Sequence, residues 1–192
     1  IIPHNAVFVI RNYSPMYLLG GGKVLNPYPE NKRFTEEIRR KKLNYYSHKQ
    51  YLELIKENIS FQPGDKQKDN VFKISELENL VPQDEWKNIY DRLINQSLVI
   101  NLGNNLFTTT VLFNYYKKII LDYFLNFHHT YPWKVGVNKT ELQKELKINL
   151  VILEAVINNL KADYLNIYNN LLFLNTHIIT YSSQEEQEIT HI

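Results

Sequence analysis

Several stretches of the chain place apolar residues at intervals of three and four, the spacing that gives a helix one buried face. The first stretch contains Tyr51, Leu52, Ile55 and Ile59. Just before it, Ser47 and Gln50 have the spacing of a capping box, in which two side chains satisfy free backbone N–H groups at a helix start. We therefore expect a helix over Ser47–Ile59.

A second, longer apolar stretch predicts a helix over Val111–Thr130. Its middle contains Lys117, Lys118 and Asp122. Because a helix that spans a bilayer needs about 20 largely uncharged residues, these charges argue against membrane insertion. The pattern instead predicts a helix that packs in the core of a globular domain.

A similar arrangement of shorter elements follows each of these two helices. The first copy consists of a short helix opened by a capping box of Ser75 and Glu78, a helix over Gln83–Gln96, and strands over Leu98–Leu102 and Leu106–Thr109. Pro82 stands at the start of the longer helix, where proline is well tolerated. Gly103-Asn104-Asn105 between the strands is a hairpin signal.

The second copy repeats this order. It consists of a helix capped by Asn138 with Glu141 three residues later, a helix over Asn149–Asp163, and strands over Tyr164–Tyr168 and Leu171–Leu174. Asn169-Asn170 is its hairpin signal. The two copies align through Leu93 with Leu160, Leu98 with Leu165, and Ile100 with Ile167.

Three helices followed by a two-stranded wing define the winged-helix arrangement. The sequence therefore predicts a mainly α fold with small β wings, built from tandem winged-helix domains over residues 32–110 and 111–178. Residues 60–70, with Pro63, Gly64 and Asp65, are expected to form a loop. Residues 179–192, with Ser183 and Glu186 at capping-box spacing, are expected to start a third winged-helix domain.

Residues 1–31 read as a short β segment instead. Ala6–Ile10 is a continuous apolar run, typical of a strand buried on both faces. Asn12–Pro15 predicts a turn, and Gly20–Gly22 predicts a second break before Lys23–Leu25 resumes the strand. Because two strands are not stable alone, we expect this segment to be the end of a truncated β-barrel domain.

The formal net charge is only +2, and basic residues are concentrated in the connector over residues 32–42. Five of them are candidates for RNA contact: Arg33, Arg39, Arg40, Lys41 and Lys42. A solvated face between domains is the favoured explanation of these residues, and contact with tRNA or ribosomal RNA is the alternative. The candidate reading helices, Gln83–Gln96 and Asn149–Asp163, hold more acidic than basic residues, whereas phosphate contacts need Lys or Arg. This composition argues against autonomous DNA binding.

No catalytic, cofactor or metal site is predicted. The chain has no cysteine, which excludes thiolate chemistry and fits a reducing, cytoplasmic compartment. Gly20-Gly21-Gly22-Lys23-Val24 lacks both the glycine spacing of a phosphate-binding loop and the hydroxyl residue that follows its lysine. The histidines are scattered, and the adjacent pair His128-His129 points to different helix faces. No G-x-S-x-G motif occurs.

The β segment resembles a known family. Residues 8–15 read Phe-Val-Ile-Arg-Asn-Tyr-Ser-Pro, and residues 20–27 read Gly-Gly-Gly-Lys-Val-Leu-Asn-Pro. Both stretches, with Arg11 and Gly20–Gly22 as their structural motif, resemble the end of the third domain of selenocysteine-specific elongation factors, the SelB family. Asn12 and Leu18-Leu19 depart from the usual Asp and Thr-Ile. The segment is similar, more distantly, to the closing strands of the tRNA-binding β-barrel of elongation factor Tu.

Two later stretches resemble the same family. Tyr131–Val137, followed by Lys139–Leu142, is similar to the family's second winged-helix domain, where a Pro-x-x-x-Gly stretch precedes a Glu-Leu helix. Ser182–Glu186 resembles the entry into a third such domain.

The resemblance implies part of a GTP-dependent factor that delivers selenocysteinyl-tRNA to the ribosome at recoded UGA codons. Such a factor binds GTP, magnesium and tRNA through its earlier domains, and an mRNA insertion hairpin through its last winged-helix domains. This chain would then be a connector between the two ends, without a GTPase site and weak for nucleic acid by itself. Two alternatives remain open: a winged-helix protein-interaction module, and a tandem winged-helix DNA-binding regulator.

Overall fold

The computed structural model describes residues 2–28, 35–60, 71–161 and 163–180. The chain divides into two compact units, the first comprising residues 1–65 and 72–109 and the second comprising residues 66–71 and 110–192. All but the first residue of the loop predicted over residues 60–70 lies outside the described residues, as does the predicted capping box at Ser183.

The first unit opens with an antiparallel hairpin of β1 (Val7–Arg11) and β2 (Leu18–Lys23). The predicted strand and the turn after it are confirmed, but the expected burial of the strand on both faces is wrong, because all five residues of β1 are exposed. The predicted break at Gly20–Gly22 is wrong, because these glycines lie inside β2 and pair with β1. The reason is a close approach: a Cβ atom on Gly21 would lie 2.6 Å from the carbonyl oxygen of Phe8. Glycine therefore lets the two strands pair here.

Two helices follow the hairpin: α1 (Glu36–Ser47) and α2 (Tyr51–Asn58). The predicted helix start at Ser47 is wrong. Ser47 is the last residue of α1, and its hydroxyl donates a hydrogen bond to the carbonyl oxygen of Asn44 at 2.9 Å. α1 is instead capped by Thr35, whose hydroxyl accepts from the N–H of Ile38 at 3.4 Å. A serine near a helix end thus bonds backwards into the helix that it closes.

The rest of the first unit consists of β3 (Phe72–Lys73), α3 (Ile74–Glu78), α4 (Gln83–Asn95), β4 (Val99–Gly103) and β5 (Leu106–Thr109). Its sheet has the order β3-β5-β4, so the short strand β3 pairs with the far edge of the wing. Two residues are too few to produce an alternating pattern, and the sequence did not reveal β3. The capping box predicted at Ser75 is also wrong, because α3 begins at Ile74 without a side-chain cap.

The second unit consists of α5 (Thr110–Thr130), β6 (Val137–Asn138), α6 (Lys139–Leu146), α7 (Leu150–Leu160), β7 (Leu165–Tyr168) and β8 (Leu171–Leu174). Its sheet order, β6-β8-β7, matches that of the first unit. The predicted cap is confirmed: the side-chain oxygen of Asn138 accepts a hydrogen bond from the N–H of Glu141 at 2.8 Å. α7 ends at Leu160, three residues before the predicted Asp163. Both units therefore have the winged-helix fold that the repeated pattern predicted.

Both wings turn on a pair of asparagines with positive φ. The φ angles are 51° and 58° at Asn104-Asn105, and 46° and 64° at Asn169-Asn170. Two central residues with positive φ form the turn whose twist matches that of paired strands, and asparagine tolerates this conformation. Both predicted hairpins are confirmed.

The aligned leucines of the repeat lie at the centre of each unit. Leu93 on α4 and Leu160 on α7 are both completely buried, as are Ile55 in the first unit and Phe124 in the second. Burial of such side chains contributes about 2 kcal/mol each. Each unit thus has a hydrophobic core of its own. None of the described helices is long and apolar enough to cross a membrane.

A close contact and a buried imidazole fix the end of the second unit. Gly136 precedes β6 and runs so close to β8 that a Cβ atom would overlap the carbonyl oxygen of Leu172. On α5, the buried His128 stacks on His177 with the ring centroids 3.7 Å apart, and its Nε2 accepts a hydrogen bond from the N–H of Leu174 at 3.3 Å. Burial, with His177 beside it, lowers the pKa of His128 to about 4.

We expect Gly136→Ala to destabilise the second unit by about 1–3 kcal/mol, because the added methyl group must push β6 away from β8. Hydrogen exchange of the buried amides of α5 and β8 measures this loss. Lys134→Ala, in the same loop but without a backbone overlap, is the control. Equal exchange rates in the two variants would contradict the assignment of Gly136 to a close backbone approach.

The second unit should also lose stability in acid through His128. The unfolded chain binds a proton at this residue below about pH 6.5, whereas the folded chain resists it down to about pH 4. A protonated ring would also present an N–H to the N–H of Leu174. Stability should therefore fall as the pH drops through this window, by up to about 3 kcal/mol.

His128→Gln keeps an acceptor for Leu174 but cannot titrate, so we expect a weaker pH dependence in this variant. The free energy of unfolding of the second unit, measured at about pH 7 and about pH 4.5, tests this expectation. His129→Gln, on the exposed side of the same helix, should behave like the original protein. A wild-type pH dependence in His128→Gln would contradict the assignment.

Candidate functional site

The hairpin exposes apolar side chains on both faces. Val7 is 74% exposed and Val9 56% on one face of β1, whereas Phe8 and Ile10, on the other face, are 42% and 50% exposed. Other exposed apolar residues of the hairpin are Tyr13, Met16, Tyr17, Leu18 and Leu19. A patch of this kind marks an interaction surface, because monomeric proteins bury most of such residues. The hairpin is therefore the first candidate docking element.

The root of the hairpin is fixed to the first winged helix. The imidazole Nδ1 of His4 lies 2.9 Å from the carbonyl oxygen of Leu25, and its Nε2 lies 3.4 Å from the carbonyl oxygen of Asn79. The ring centroid is also 6.3 Å from that of Tyr46, a core residue. Leu25 packs against the same core. The base of the hairpin is thus fixed to the first winged helix, while its two strands project from that domain.

The glycine motif has no features of a phosphate site. Gly20–Gly22 are extended and paired with β1, and Lys23 pairs with Val7. A phosphate-binding loop instead curls so that several N–H groups point at one anion. Arg11, at the end of β1, pairs with Leu18. The residues of this motif therefore shape a hairpin, and they do not fit a GTP site.

The basic candidates lie mainly on α1. Arg33 is outside the described residues. Arg40 pairs with Glu36 at 2.7 Å, and the ammonium group of Lys41 lies 2.9 Å from both carboxylate oxygens of Glu57 on α2. This hydrogen bond raises the pKa of Lys41.

The two remaining basic candidates on α1, Lys42 and Arg39, differ in their contacts. Lys42 donates to the side-chain oxygen of Asn58 on α2 at 3.1 Å. Arg39 is exposed, and within the described parts of the chain its guanidinium group makes no hydrogen bond or ion pair. Lys41 and Lys42 therefore attach α1 to α2, whereas Arg39 is the member available to an outside ligand.

The two reading helices differ in their surfaces. α4 presents Asp84 and Asp91 to solvent, as the acidic composition predicted. α7 presents Glu154, which pairs with Lys139 of α6, and two asparagines, Asn158 and Asn159. Neither described helix carries the row of cations that phosphate contacts require.

A groove of about 670 Å³ runs between α7, the start of α6 and the wing of the second unit. It is lined by Asn138, Lys139, Thr140, Glu154, Ile157, Asn158, Lys161, Ile167, Asn170 and Leu172. Sequence reasoning missed this set, because its members come from several separate elements. A comparison of Asn158 and Lys161 with the aligned residues of the first copy was the one sequence signal that could have drawn attention to them.

The described residues contain no candidate metal centre. No group of three histidine or acidic side chains there could hold a metal ion. His128 and His177 stack face to face, so their ring planes cannot meet at one ion. Within the described residues these two histidines serve packing and hydrogen bonding.

No protein-family model matches the chain, and no curated protein matches it. Among solved structures, it is similar to the mRNA-binding domain of elongation factor SelB from E. coli in complex with SECIS RNA, at 6% identity and a TM-score of 0.42. That similarity covers 65% of this chain and 96% of the other.

The chain is also similar to a bacterial selenocysteine-specific elongation factor, EF-Sec, at 14% identity and a TM-score of 0.44. The similarity covers 97% of this chain, which spans only 27% of the length of that factor. The class of fold, a tandem winged helix, follows from the strand order and helices of each unit.

Gly21→Ala should disrupt the hairpin, because the backbone of Phe8 cannot move away from the new methyl group without breaking the strand pairing. We expect faster amide exchange throughout β1 and β2. Gly22→Ala is the matched control, since its methyl group would meet only the Phe8 ring, which can rotate. Equal effects of the two substitutions would contradict a backbone constraint at Gly21.

Proposed function

We propose that this chain is part of a selenocysteine-specific elongation factor of the SelB family, in which it connects the tRNA-binding body to the mRNA-binding end. The observation that carries the proposal is the exposed apolar hairpin with its Arg-Asn-Tyr-Ser-Pro and Gly-Gly-Gly-Lys motifs, attached directly to a winged helix. The sequence motifs point to the family, and the exposed apolar side chains of the hairpin point to a neighbouring sheet that would cover them.

In the proposed factor, the hairpin completes a β-barrel. A two-stranded sheet with apolar residues on both faces and free edges needs further strands and a second layer to bury them. The segment over residues 1–31 would be the end of that barrel. His4 and Leu25 then join the barrel to the first winged helix, so that the two move together.

The winged helices act as spacers in this proposal. The acidic side chains on α4 repel the phosphate backbone of a duplex. The ion pair of Lys41 with Glu57 and the contact of Lys42 with Asn58 fix α1 against α2 within the first unit. Arg39 is the residue that we assign to contact with tRNA or ribosomal RNA.

The remaining activities belong to the whole factor in this proposal. GTP and magnesium would bind in domains outside this chain, since its glycine motif forms a strand. Selenocysteinyl-tRNA, the mRNA insertion hairpin and the ribosome would be its partners, and the cytoplasm its compartment. A winged-helix protein-interaction module explains the two units equally well but gives no role to the hairpin motifs.

Binding of the 192-residue chain to three labelled ligands tests the proposal. The ligands are an mRNA selenocysteine-insertion hairpin, selenocysteine tRNA and duplex DNA, each over a salt series. We expect weak or absent binding of the mRNA hairpin and DNA, and at most salt-sensitive binding of tRNA. Tight, sequence-selective binding of duplex DNA would overturn the proposal in favour of a transcription regulator.

Two charge reversals locate any binding that is seen. Arg39→Glu should weaken tRNA binding and reduce its salt dependence, because phosphate contacts release counterions. Arg92→Glu, in the last turn of α4, makes the same change of charge on the reading helix and should leave tRNA binding unchanged. The opposite result would place the contact on α4.

A further inference from the structure

We propose that the groove of the second winged helix binds an unpaired stretch of RNA, with bases on its apolar floor and phosphates at its lysines. The choice of RNA over single-stranded DNA rests on the proposed translational role. The site itself is argued from the groove, which lies outside the hairpin and the basic helix α1.

The floor of the groove suits a flat ring. Its apolar lining consists of Ile157 of α7 with Ile167 and Leu172 of the wing; Ile157 and Leu172 are buried, so the accessible part of the floor is Ile167, which is 47% exposed. An unpaired base has an apolar face of similar size, whereas a base inside a duplex has both faces covered by its neighbours. Single-stranded segments are the form in which RNA presents such faces to proteins.

The rim offers amide groups to base edges. Asn158 of α7 and Asn170 of the wing line opposite sides of the groove. In the described part of the chain, no hydrogen bond engages the side chain of either residue. A carboxamide has both a donor and an acceptor, and therefore pairs with base edges that present both. Asn138 is unsuited to this role because it already caps α6.

Two lysines provide the contacts for phosphates. Lys139 pairs with Glu154, which leaves Lys161 as the cation of the groove without an ion pair in the described residues. An incoming phosphate can share Lys139 with Glu154 and bind Lys161 directly. Two such contacts are too few for tight duplex binding but sufficient for a weak single-strand site.

The first unit supplies an internal comparison. When the buried residues Leu93 and Leu160 are aligned, Asn158 corresponds to Asp91, and Lys161 corresponds to Ile94. The first unit thus has a carboxylate where the second has an amide, and an apolar residue where the second has a cation. Both differences favour an RNA ligand in the second unit and oppose one in the first.

One exposed aromatic residue stands near the groove. Tyr168, at the tip of β7, is 63% exposed, and it is followed by the asparagine turn that ends at Asn170. Its side chain points to the face of β7 opposite that of Ile167, because successive strand residues alternate. A strand of RNA would therefore have to pass over the turn of the wing to stack on Tyr168, at a gain of about 1–3 kcal/mol per base.

Nuclear magnetic resonance titration of the whole chain with decauridylate and decaadenylate tests the proposal. We expect shifts of the amide signals that line the groove, a Kd between about 10⁻⁶ and 10⁻⁴ M, and a salt slope of about −1.4 for two lysine contacts on a single strand. A glutamate decapeptide of equal charge is added in a parallel series. Equal or tighter binding of this peptide at the groove would overturn the proposal.

The decisive variant gives the groove the residues of the first unit. Asn158→Asp with Lys161→Ile should weaken binding about tenfold or more, because the amide that donates to a base edge becomes a carboxylate and one phosphate contact is lost. Asn126→Asp with Lys118→Ile makes the same change of charge on exposed positions of α5 and should have no such effect. Equal losses in both variants would overturn the assignment to the groove.

The outcome is separable from that of the connector proposal. If neither oligonucleotide shifts the groove signals, the RNA site is refuted, while the tRNA, hairpin and duplex measurements still decide the proposed function. If duplex DNA binds through Asn158 and Lys161, both proposals are overturned.

Discussion

Each unit depends on a central strand that is paired on both edges. β5 lies between β3 and β4, and β8 lies between β6 and β7. A two-stranded wing alone would be unstable, and the added pair of residues before α3 or α6 ties the wing to the helices. At β8 this pairing requires the close approach of Gly136, and it also holds Leu174, whose N–H bonds to the buried His128. The sheet therefore determines which side of α7 faces the wing, and with it the shape of the groove.

The hairpin of β1 and β2 lacks such pairing. Its strands have no third partner within the described residues, and its apolar side chains are exposed on both faces. Only its root is packed, through His4 and Leu25. Among the described residues, two sheets thus pack against helices and one does not, and this contrast supports the proposed assignment of the hairpin to a larger barrel.

Helical periodicity and asparagine turns were sufficient to predict the repeated helices and both wings. They were insufficient for β3 and β6, because a two-residue strand has no period and is defined by a partner distant in sequence. Capping boxes succeeded at Asn138 and failed at Ser47, which bonds backwards into α1, and at Ser75, which lies inside α3 because that helix begins one residue earlier. Residue type alone does not decide the direction.

The candidate sites also differ in how far the sequence could predict them. The hairpin motif is contiguous in sequence and was recognisable there, whereas the groove gathers residues from α6, α7, β7 and β8. The basic cluster was recognisable in the sequence as a run of Lys and Arg residues, but the sequence did not show which of these cations is available to a ligand. Only the fold shows that Lys41 and Lys42 are held by α2 and that Arg39 is not.

The attachment of the hairpin at both of its ends has a mechanical consequence. His4 precedes β1 and Leu25 follows β2, and backbone hydrogen bonds of Asn5 and Ala6 with Val24 close the ring between them. A pull on the hairpin tip along the strands draws both strands in the same direction, so the force passes through His4 and Leu25 into the helical unit. The hairpin can therefore act as a lever arm, and torque applied at its tip would turn the first winged helix as a rigid body.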